Sequence, residues 1–115
     1  MLIVDDSIII LERMIPMLEE MENVQVVAHA GSYSEAVELI DGLRPDMVLL
    51  DINLPDKSGI EVLKKIKEIN EEIIVLMITN HPSDYYRELC KKMGARFFFD
   101  KSIDLEIISE IIASS

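Results

Sequence analysis

Five short apolar runs, each followed by a segment with helical spacing, constrain the fold of this chain more than any other feature. The runs cover residues 2–4, 24–30, 47–51, 73–79 and 96–99. Apolar, β-branched runs of this kind are typical of strands that are buried on both faces, as in parallel sheets. Strict alternation of strand and helix favours right-handed crossovers, which place helices on both faces of the sheet. The sequence therefore predicts a doubly wound α/β fold built on a parallel sheet.

Serines mark the starts of the predicted helices. They stand before the first four helical segments, at Ser7, Ser32, Ser58 and Ser83. A serine at this position accepts a hydrogen bond from an otherwise free backbone N–H of the first turn. Glu35 and Glu61 follow the second and third of these serines by three residues, as in capping boxes.

Helical spacing also predicts which residues face the core. In the first helix, Ile8, Leu11, Ile15 and Leu18 recur at this spacing and are expected to point inward. Asp104 is the predicted start of the last helix. The inward faces of all the helices would then cover the sheet on both sides.

Length, charge and hydropathy narrow the range of functions. The 115 residues are expected to form a single domain that spans 1–115. The formal net charge of −11 argues against direct nucleic-acid binding, because the neutralisation of phosphates supplies most of that affinity. No apolar run approaches the ~20 residues that a bilayer span needs, and the N-terminus lacks the pattern of a signal peptide. We therefore expect a cytoplasmic domain without membrane contact.

Polar residues stand at the ends of the apolar runs, where parallel strands would end. Asp5 and Asp6 follow the first run, and Asp51 closes the third. Thr79 closes the fourth run, and Lys101 lies just beyond the fifth. Because ligands of such sheets bind beyond the carboxyl ends of the strands, these side chains are expected to share one cleft. The alternative is that each aspartate only caps the helix that follows it.

The chemistry of such a cleft would suit a divalent cation and a phosphoryl group. Oxygen ligands without sulfur or imidazole favour Mg²⁺ over Zn²⁺. An aspartate can also act as a nucleophile toward phosphorus and form an aspartyl-phosphate. A metal ion and a lysine would then balance the charge of the transferred group.

The chain resembles the receiver domain of two-component response regulators over essentially its whole length. The motifs are Ile3-Val4-Asp5-Asp6-Ser7, Leu50-Asp51-Ile52-Asn53-Leu54-Pro55 with Gly59 eight residues after Asp51, Ile78-Thr79, and Gly94-Ala95 leading to Phe98 and Lys101. Their order and spacing carry the resemblance, since none of them is specific by itself. The resemblance implies a flavodoxin-like, three-layer α/β/α fold, with five helices and a five-stranded sheet of order 2-1-3-4-5.

By this resemblance, Asp51 is the phosphoacceptor and takes a phosphoryl group from a histidine kinase or a phosphotransfer protein. Asp5, Asp6, Asp51 and the backbone carbonyl of Asn53 would hold Mg²⁺. The chain would then be a signalling switch rather than an enzyme, with at most self-catalysed phosphotransfer and autodephosphorylation.

The resemblance also implies how the switch works. Lys101 and Thr79 would contact the phosphoryl group, and Phe98 would turn into the space that Thr79 leaves. The face formed by the fourth helix, the fifth strand and the fifth helix would change and bind an output partner, a fused effector domain or a second copy of the chain. Asn80 and His81 are candidate modulators of the phosphorylated state. The alternative for Phe98 is a plain core aromatic residue.

Two other functions stay open at this point. A degenerate receiver would act only as a protein-interaction module. A Mg²⁺-dependent phosphohydrolase would use Asp51 as its nucleophile, but such enzymes need an acidic residue two positions later, and Asn53 cannot donate and recover a proton. A dinucleotide-binding domain is disfavoured, because residues 5–8 contain no glycine-rich phosphate loop.

Overall fold

A computed structural model of the chain describes residues 1–21, 28–101 and 105–114. Residues 24–27 of the predicted second strand lie outside this description, and so does Asp104, the predicted start of the last helix. Among the described helices, none is both long enough and apolar enough to cross a bilayer.

Strands and helices alternate along the described chain, as the sequence predicts. In chain order they are β1 (Leu2–Val4), α1 (Ile8–Glu19), β2 (Ala28–Ala30), α2 (Tyr33–Leu43), β3 (Met47–Asp51), α3 (Gly59–Ile69), β4 (Ile74–Thr79), α4 (Asp84–Lys92), β5 (Phe97–Asp100) and α5 (Leu105–Ala113). The strands pair in parallel, and the sheet order is β2-β1-β3-β4-β5. The flavodoxin-like prediction is therefore confirmed. The strand order reverses between β1 and β3, which opens a crevice at their carboxyl ends.

The strands divide their side chains between two core layers. Ile3 and Leu49 lie on the side of the sheet that α1 and α5 cover. Their neighbours Val4 and Leu50 lie on the opposite side, where they pack with residues of α2 and α3 such as Ile40. Because successive side chains of a strand point to opposite faces, a strand buried on both faces must be apolar throughout. This is why the strands read as continuous apolar runs.

The first turn of α1 differs from the sequence-based expectation. Ile8 and Ile9 are each 68% exposed, whereas Met14 and Leu18 are fully buried. Residues 8–11 are all apolar, so their spacing does not define which row of the helix faces the sheet. The prediction that Ile8 faces the core is wrong, and the prediction for Leu18 is confirmed.

The predicted N-cap serines all begin helices. The side chains that accept hydrogen bonds from first-turn N–H groups are those of Ser7, Ser32, Ser58 and Ser83. Ser58 accepts from the Ile60 N–H at 3.2 Å, and not from the Glu61 N–H that a capping box would use. These caps define where each loop at the carboxyl edge of the sheet ends.

The strand register brings the polar residues to one edge of the sheet. β1 and β3 pair so that the residue after Val4 stands beside Asp51. Asp51 in turn pairs with Ile78, which directly precedes Thr79. The Thr79 carbonyl accepts a 2.8 Å hydrogen bond from the Lys101 N–H. The edge positions therefore follow from backbone pairing, before any contact between side chains is considered.

Candidate functional site

The carboxyl edge of the sheet carries a cluster of buried polar side chains. Asp5, Asp51 and Thr79 are almost fully buried, and Lys101 is 9% exposed. Asp6, next to them, is exposed. Burial of charged groups is costly unless they are paired, so a cluster of this kind is a candidate functional site.

The ammonium group of Lys101 lies between two buried carboxylates. Its Nζ is 2.9 Å from Oδ2 of Asp5 and 2.8 Å from Oδ2 of Asp51. The side chains of Lys101, Asp5 and Asp51 are 5%, 0% and 2% exposed, so water screens these contacts little. One positive charge faces two negative charges, and the buried group keeps a net negative charge that a cation would neutralise.

Burial and the neighbouring charges shift the pKa values of Asp51 and Lys101. Burial raises the pKa of Asp51, although hydrogen bonds from Lys101 and from the Asn53 N–H act in the opposite direction. Burial alone would lower the pKa of Lys101, but the hydrogen bonds and charges of Asp51 and Asp5 outweigh it and raise that pKa above its ordinary value. Both shifts favour the protonated forms, as expected for a buried cluster with excess negative charge.

Backbone N–H groups orient the two buried carboxylates in the same way. Oδ1 of Asp5 accepts a 2.8 Å hydrogen bond from the Ser7 N–H. Oδ1 of Asp51 accepts a 3.0 Å hydrogen bond from the Asn53 N–H. Each aspartate thus closes a local turn with the residue two positions later. This turn leaves Oδ2 of each carboxylate free to face Lys101 and the crevice.

The acidic residues fit a hard divalent cation. Carboxylate oxygens of Asp5, Asp6 and Asp51 lie within 4.8 Å of one another. Oδ2 of Asp5 is buried, and its one partner among the described contacts is the Lys101 ammonium group, which Asp5 shares with Asp51. Asp6 is exposed and leaves the cluster open to solvent. An oxygen-only donor set with an unfilled buried acceptor is suited to Mg²⁺.

The hydroxyl group of Thr79 accepts two hydrogen bonds. One comes from the Asn53 side-chain amide at 3.3 Å, and the other comes from the His81 N–H at 3.1 Å. With both bonds accepted, the hydroxyl proton of Thr79 is free to donate. The contact from the Asn53 side chain was not foreseen from the sequence, which pointed only to the carbonyl of that residue. Asn80 and His81 are exposed in the loop after β4.

The half-buried Phe98 lies under an arginine of α4. Nη1 of Arg87 donates a 3.3 Å hydrogen bond to the Phe98 carbonyl, and the guanidinium carbon is 4.9 Å from the centre of the Phe98 ring. Phe98 pairs with Met77 in the sheet, whereas Thr79 pairs with Asp100, so Phe98 lies two residues before the partner of Thr79 on β5. Arg87 was not among the predicted site residues, because no local pattern in the sequence links α4 to one residue of β5.

Gly59 allows the chain to pass close behind the Asp51 backbone. Its N–H donates a 2.6 Å hydrogen bond to the Ile52 carbonyl. A Cβ at this position would lie 2.8 Å from the Asp51 carbonyl carbon and 2.9 Å from the Ile52 Cα, which are rigid backbone atoms. Only glycine fits there without a shift of the strand end that carries Asp51.

Comparisons with known proteins place this site in a family. A family profile described as the response regulator receiver domain matches residues 1–113. The chain is 30% identical over 107 residues to the nitrate/nitrite response regulator protein NarL of Escherichia coli (strain K12), a match that covers 91% of this chain and 49% of that protein. It is 34% identical over 83 residues to sporulation initiation phosphotransferase F of Bacillus subtilis (strain 168), covering 72% of this chain and 67% of that protein.

The likeness extends to solved structures. The structure of a CheX–CheY–BeF3–Mg complex from Borrelia burgdorferi matches with a TM-score of 0.89 and 29% sequence identity. The match covers 98% of this chain and 85% of that chain. The chain spans about half the length of two curated regulators that it matches, one from Bacillus subtilis and one from Escherichia coli. Each is 30% identical to this chain over 107 residues.

Proposed function

Since this chain belongs to the response regulator receiver domain family and is a phosphorylation-activated signalling switch, we propose that Asp51 is the residue that accepts the phosphoryl group. The observation that supports this assignment is the position of Asp51 on β3, the strand that pairs with both β1 and β4, 2.8 Å from the buried ammonium group of Lys101. Asp5 also pairs with Lys101 but follows β1, on the side away from Thr79, and Asp6 has no ion pair with Lys101 among the described contacts. Asp51 is therefore the carboxylate that lies between the other acids and Thr79 and that has a cationic partner.

In the proposed reaction, a carboxylate oxygen of Asp51 attacks the phosphorus atom of a phosphohistidine. An O–P bond forms while the P–N bond breaks, and the imidazole leaves with the electron pair of that bond. The attacking carboxylate must be ionised. Lys101 supports this state, because its hydrogen bond and charge oppose the rise that burial causes in the pKa of Asp51.

The acidic cluster is the proposed Mg²⁺ site. Asp5, Asp6 and Asp51 would hold the ion with their carboxylate oxygens, together with the backbone carbonyl of Asn53. A bound Mg²⁺ would supply neutralising charge for the transferred phosphoryl group. Support comes from the mutual distances of the three carboxylates, and from the related Borrelia burgdorferi structure, which is a complex with BeF3 and magnesium.

The switch would start at Thr79. Phosphorylation of Asp51 replaces the single charge of its carboxylate with a phosphoryl group that carries about −1.5 to −2 units of charge and strong acceptor oxygens. The free hydroxyl proton of Thr79 can then donate to the phosphoryl group, which would draw Thr79 away from its bonds with Asn53 and His81. Phe98 would adjust to this movement. The change would spread to the face formed by α4, β5 and α5.

The remaining proposals concern the cellular setting. We propose that residues 1–115 form one receiver domain in the cytoplasm, with a histidine kinase or a phosphotransfer protein as the phosphodonor. The output would be a partner protein, a fused effector domain or a homodimer through the α4–β5–α5 face. The chain itself would perform no catalysis beyond phosphotransfer to Asp51 and loss of that group. The relatives of the chain, which include a response regulator and a phosphotransferase, support the proposed kind of phosphodonor.

Intact-mass analysis tests the assignment directly. Incubation with acetyl phosphate and MgCl2 should add one phosphoryl group to the wild type and none to Asp51→Asn. Asp41→Asn removes an exposed acid of α2 and should be phosphorylated like the wild type. Absence of the adduct on the wild type, or equal modification of Asp51→Asn, would contradict the proposal. Steady turnover of p-nitrophenyl phosphate by the wild type would favour the phosphohydrolase instead.

A further inference from the structure

The loop between β3 and α3, residues 52–58, carries Asn53 and therefore part of the proposed metal site. On the side of the sheet it is attached through Asn53, whose N–H bonds to Asp51 and whose amide bonds to Thr79. At its far end it is attached through Gly59, whose N–H bonds to Ile52. These contacts lie within the site or next to it. A third attachment joins the loop to a helix outside the site.

Asp56, in the middle of this loop, binds the first turn of α2. Its Oδ1 accepts a 2.8 Å hydrogen bond from the Tyr33 N–H, and its Oδ2 accepts bonds of 3.1 Å from both the N–H and the hydroxyl group of Ser34. The Lys57 N–H donates a further bond of 3.0 Å to Oδ1. These hydrogen bonds, led by the one from Tyr33, lower the pKa of Asp56 to about 2. The contact joins segments that are 22 and 23 residues apart in sequence.

A second interaction of different chemistry joins the same two segments. Nζ of Lys57 lies 4.6 Å from the centre of the Tyr33 ring, within the range of a cation–π contact. Asp56 and Lys57 thus bind the start of α2 with opposite charges: Asp56 contacts the backbone, and Lys57 contacts the aromatic ring of Tyr33. We call this pair of contacts the bracket, since it joins the two segments at two points.

The first turn of α2 is a firm support for this bracket. Ser32 caps the helix through the Glu35 N–H, and Ala36 and Ile40 are fully buried against the sheet. A loop tied to this helix is therefore tied to the core. The ends of the loop are held by β3 and by the buried start of α3, and Asp56 adds a third attachment in the middle of the loop, to a different helix.

We propose that Asp56 is a positioning residue for the metal site: it holds the β3–α3 loop against α2 and thereby fixes Asn53, whose carbonyl is the proposed Mg²⁺ ligand. This inference rests on the proposed function. Asp56 touches neither the ion nor the phosphoryl group, and it acts through Asn53. Residues that orient a ligand from behind commonly change metal affinity about 10–100-fold when they are replaced.

Titration with MgCl2 of the wild type, Asp56→Ala, Asp56→Asn and Asp41→Asn tests the proposal. Binding is followed by calorimetry and by the ¹H–¹⁵N shift of the Asn53 amide. We expect Asp56→Ala to weaken Mg²⁺ binding about tenfold, the low end of the range for such residues. Asp56→Asn should weaken it less, because the amide oxygen can still accept the bonds of one of the two carboxylate oxygens. Asp41→Asn, which removes the same charge from the other end of α2, should bind Mg²⁺ like the wild type.

Two further measurements separate positioning from other effects. If Asp56 acted only through its charge, added NaCl would remove the difference between the wild type and Asp56→Ala, whereas a positional effect persists. Ser34→Ala keeps the charge and loses one bond to Asp56, so it should weaken Mg²⁺ binding slightly and shift the Asn53 amide in the same direction. Urea unfolding reports stability separately from affinity.

The outcomes distinguish this inference from the proposed function. Wild-type Mg²⁺ affinity in Asp56→Ala, together with a lower urea midpoint, would mean that Asp56 is merely a structural cap and would overturn the inference alone. If Asp56→Ala does not fold, Asp56→Asn and Ser34→Ala carry the same comparison. A wild type that binds no Mg²⁺ and accepts no phosphoryl group would overturn the proposed function and this inference together.

Discussion

Replacement of Lys101 by methionine isolates the contribution of its charge to the site. Methionine keeps an unbranched apolar stem of similar length and removes only the ammonium group. In the wild type this group lies 2.9 Å from Asp5 and 2.8 Å from Asp51 and balances one of their two charges, and all three side chains are at most 5% exposed. Removal of one partner from a buried ion pair costs about 3–5 kcal/mol, because it leaves an uncompensated charge. We expect a loss of that size in the free energy of unfolding near neutral pH without divalent cations.

The pH dependence of this loss follows from the titration of Asp51. Burial already raises the pKa of Asp51, and Lys101 opposes that rise, so the pKa rises further in Lys101→Met. A carboxyl group with a folded-state pKa above its unfolded value lowers stability at high pH, and the deficit disappears as the pH falls through the folded-state pKa. The deficit should therefore shrink on acidification, by up to about 1.4 kcal/mol per pH unit for one proton.

The wild type should behave differently at alkaline pH. The pKa of Lys101 is raised above its ordinary value by Asp51 and Asp5. The stability that this group contributes is complete below the unfolded pKa of lysine, and it is lost only as the pH rises through the raised folded-state pKa. Titration of Lys101 should therefore not reduce wild-type stability between neutral and mildly alkaline pH.

Urea unfolding followed by circular dichroism, at several pH values, measures both effects. Lys64→Met removes an exposed lysine of α3 and should change the free energy of unfolding by less than about 0.5 kcal/mol. The double variant Lys101→Met/Asp51→Asn should be more stable than Lys101→Met, because it removes one of the two unpaired charges. MgCl2 should stabilise Lys101→Met more than the wild type. A loss below about 1 kcal/mol, or one that is equal at all pH values, would refute this reasoning.

Further stability predictions follow from the glycines and from α4. Gly59→Ala should lower the free energy of unfolding by about 1–3 kcal/mol, because its Cβ would press on the backbone of Asp51 and Ile52. Gly42→Ala, whose Cβ would have nothing within 4 Å, should raise the free energy of unfolding by about 0.5–1 kcal/mol. Changes of the same sign in both variants, measured by urea unfolding, would contradict this. Arg87→Gln should lose about 1–2 kcal/mol through its two contacts with Phe98, and an unchanged urea midpoint would argue against a role for those contacts. Ser83→Ala should lose about 1 kcal/mol with its N-cap bond and reduce the helical circular dichroism signal.

The periodicity of the sequence predicted the elements well, because each strand is buried on both faces and each helix on one. It failed at Ile8, where four consecutive apolar residues leave the orientation of the helix open. Ser58 caps α3 through Ile60 rather than through Glu61, since the capping-box pattern does not determine which first-turn N–H comes closest. Residues 24–27 of the predicted second strand lie outside the described residues.

At the candidate site, the sequence indicated the residue types and the edge of the sheet. Asp5, Asp6, Asp51 and Lys101 follow strands, and the parallel topology brings the ends of those strands together. The contacts of Asp56 with α2 were not predictable from local patterns, because its partners are 22 and 23 residues away. The same holds for the contact between Arg87 and Phe98, since it joins a helix to a neighbouring strand.

The order of apolar and polar residues along the chain thus determined the class of fold and the set of groups that meet at its carboxyl edge, because the spacing of apolar residues is a local property. Which carboxylates share the ammonium of Lys101, in which direction the pKa of Asp51 shifts, and which helix Asp56 binds from the loop after β3 were decided only by the tertiary structure. These properties depend on distances and burial between residues far apart in sequence. Electrostatic energies change steeply with both, and spacing along the chain does not specify either.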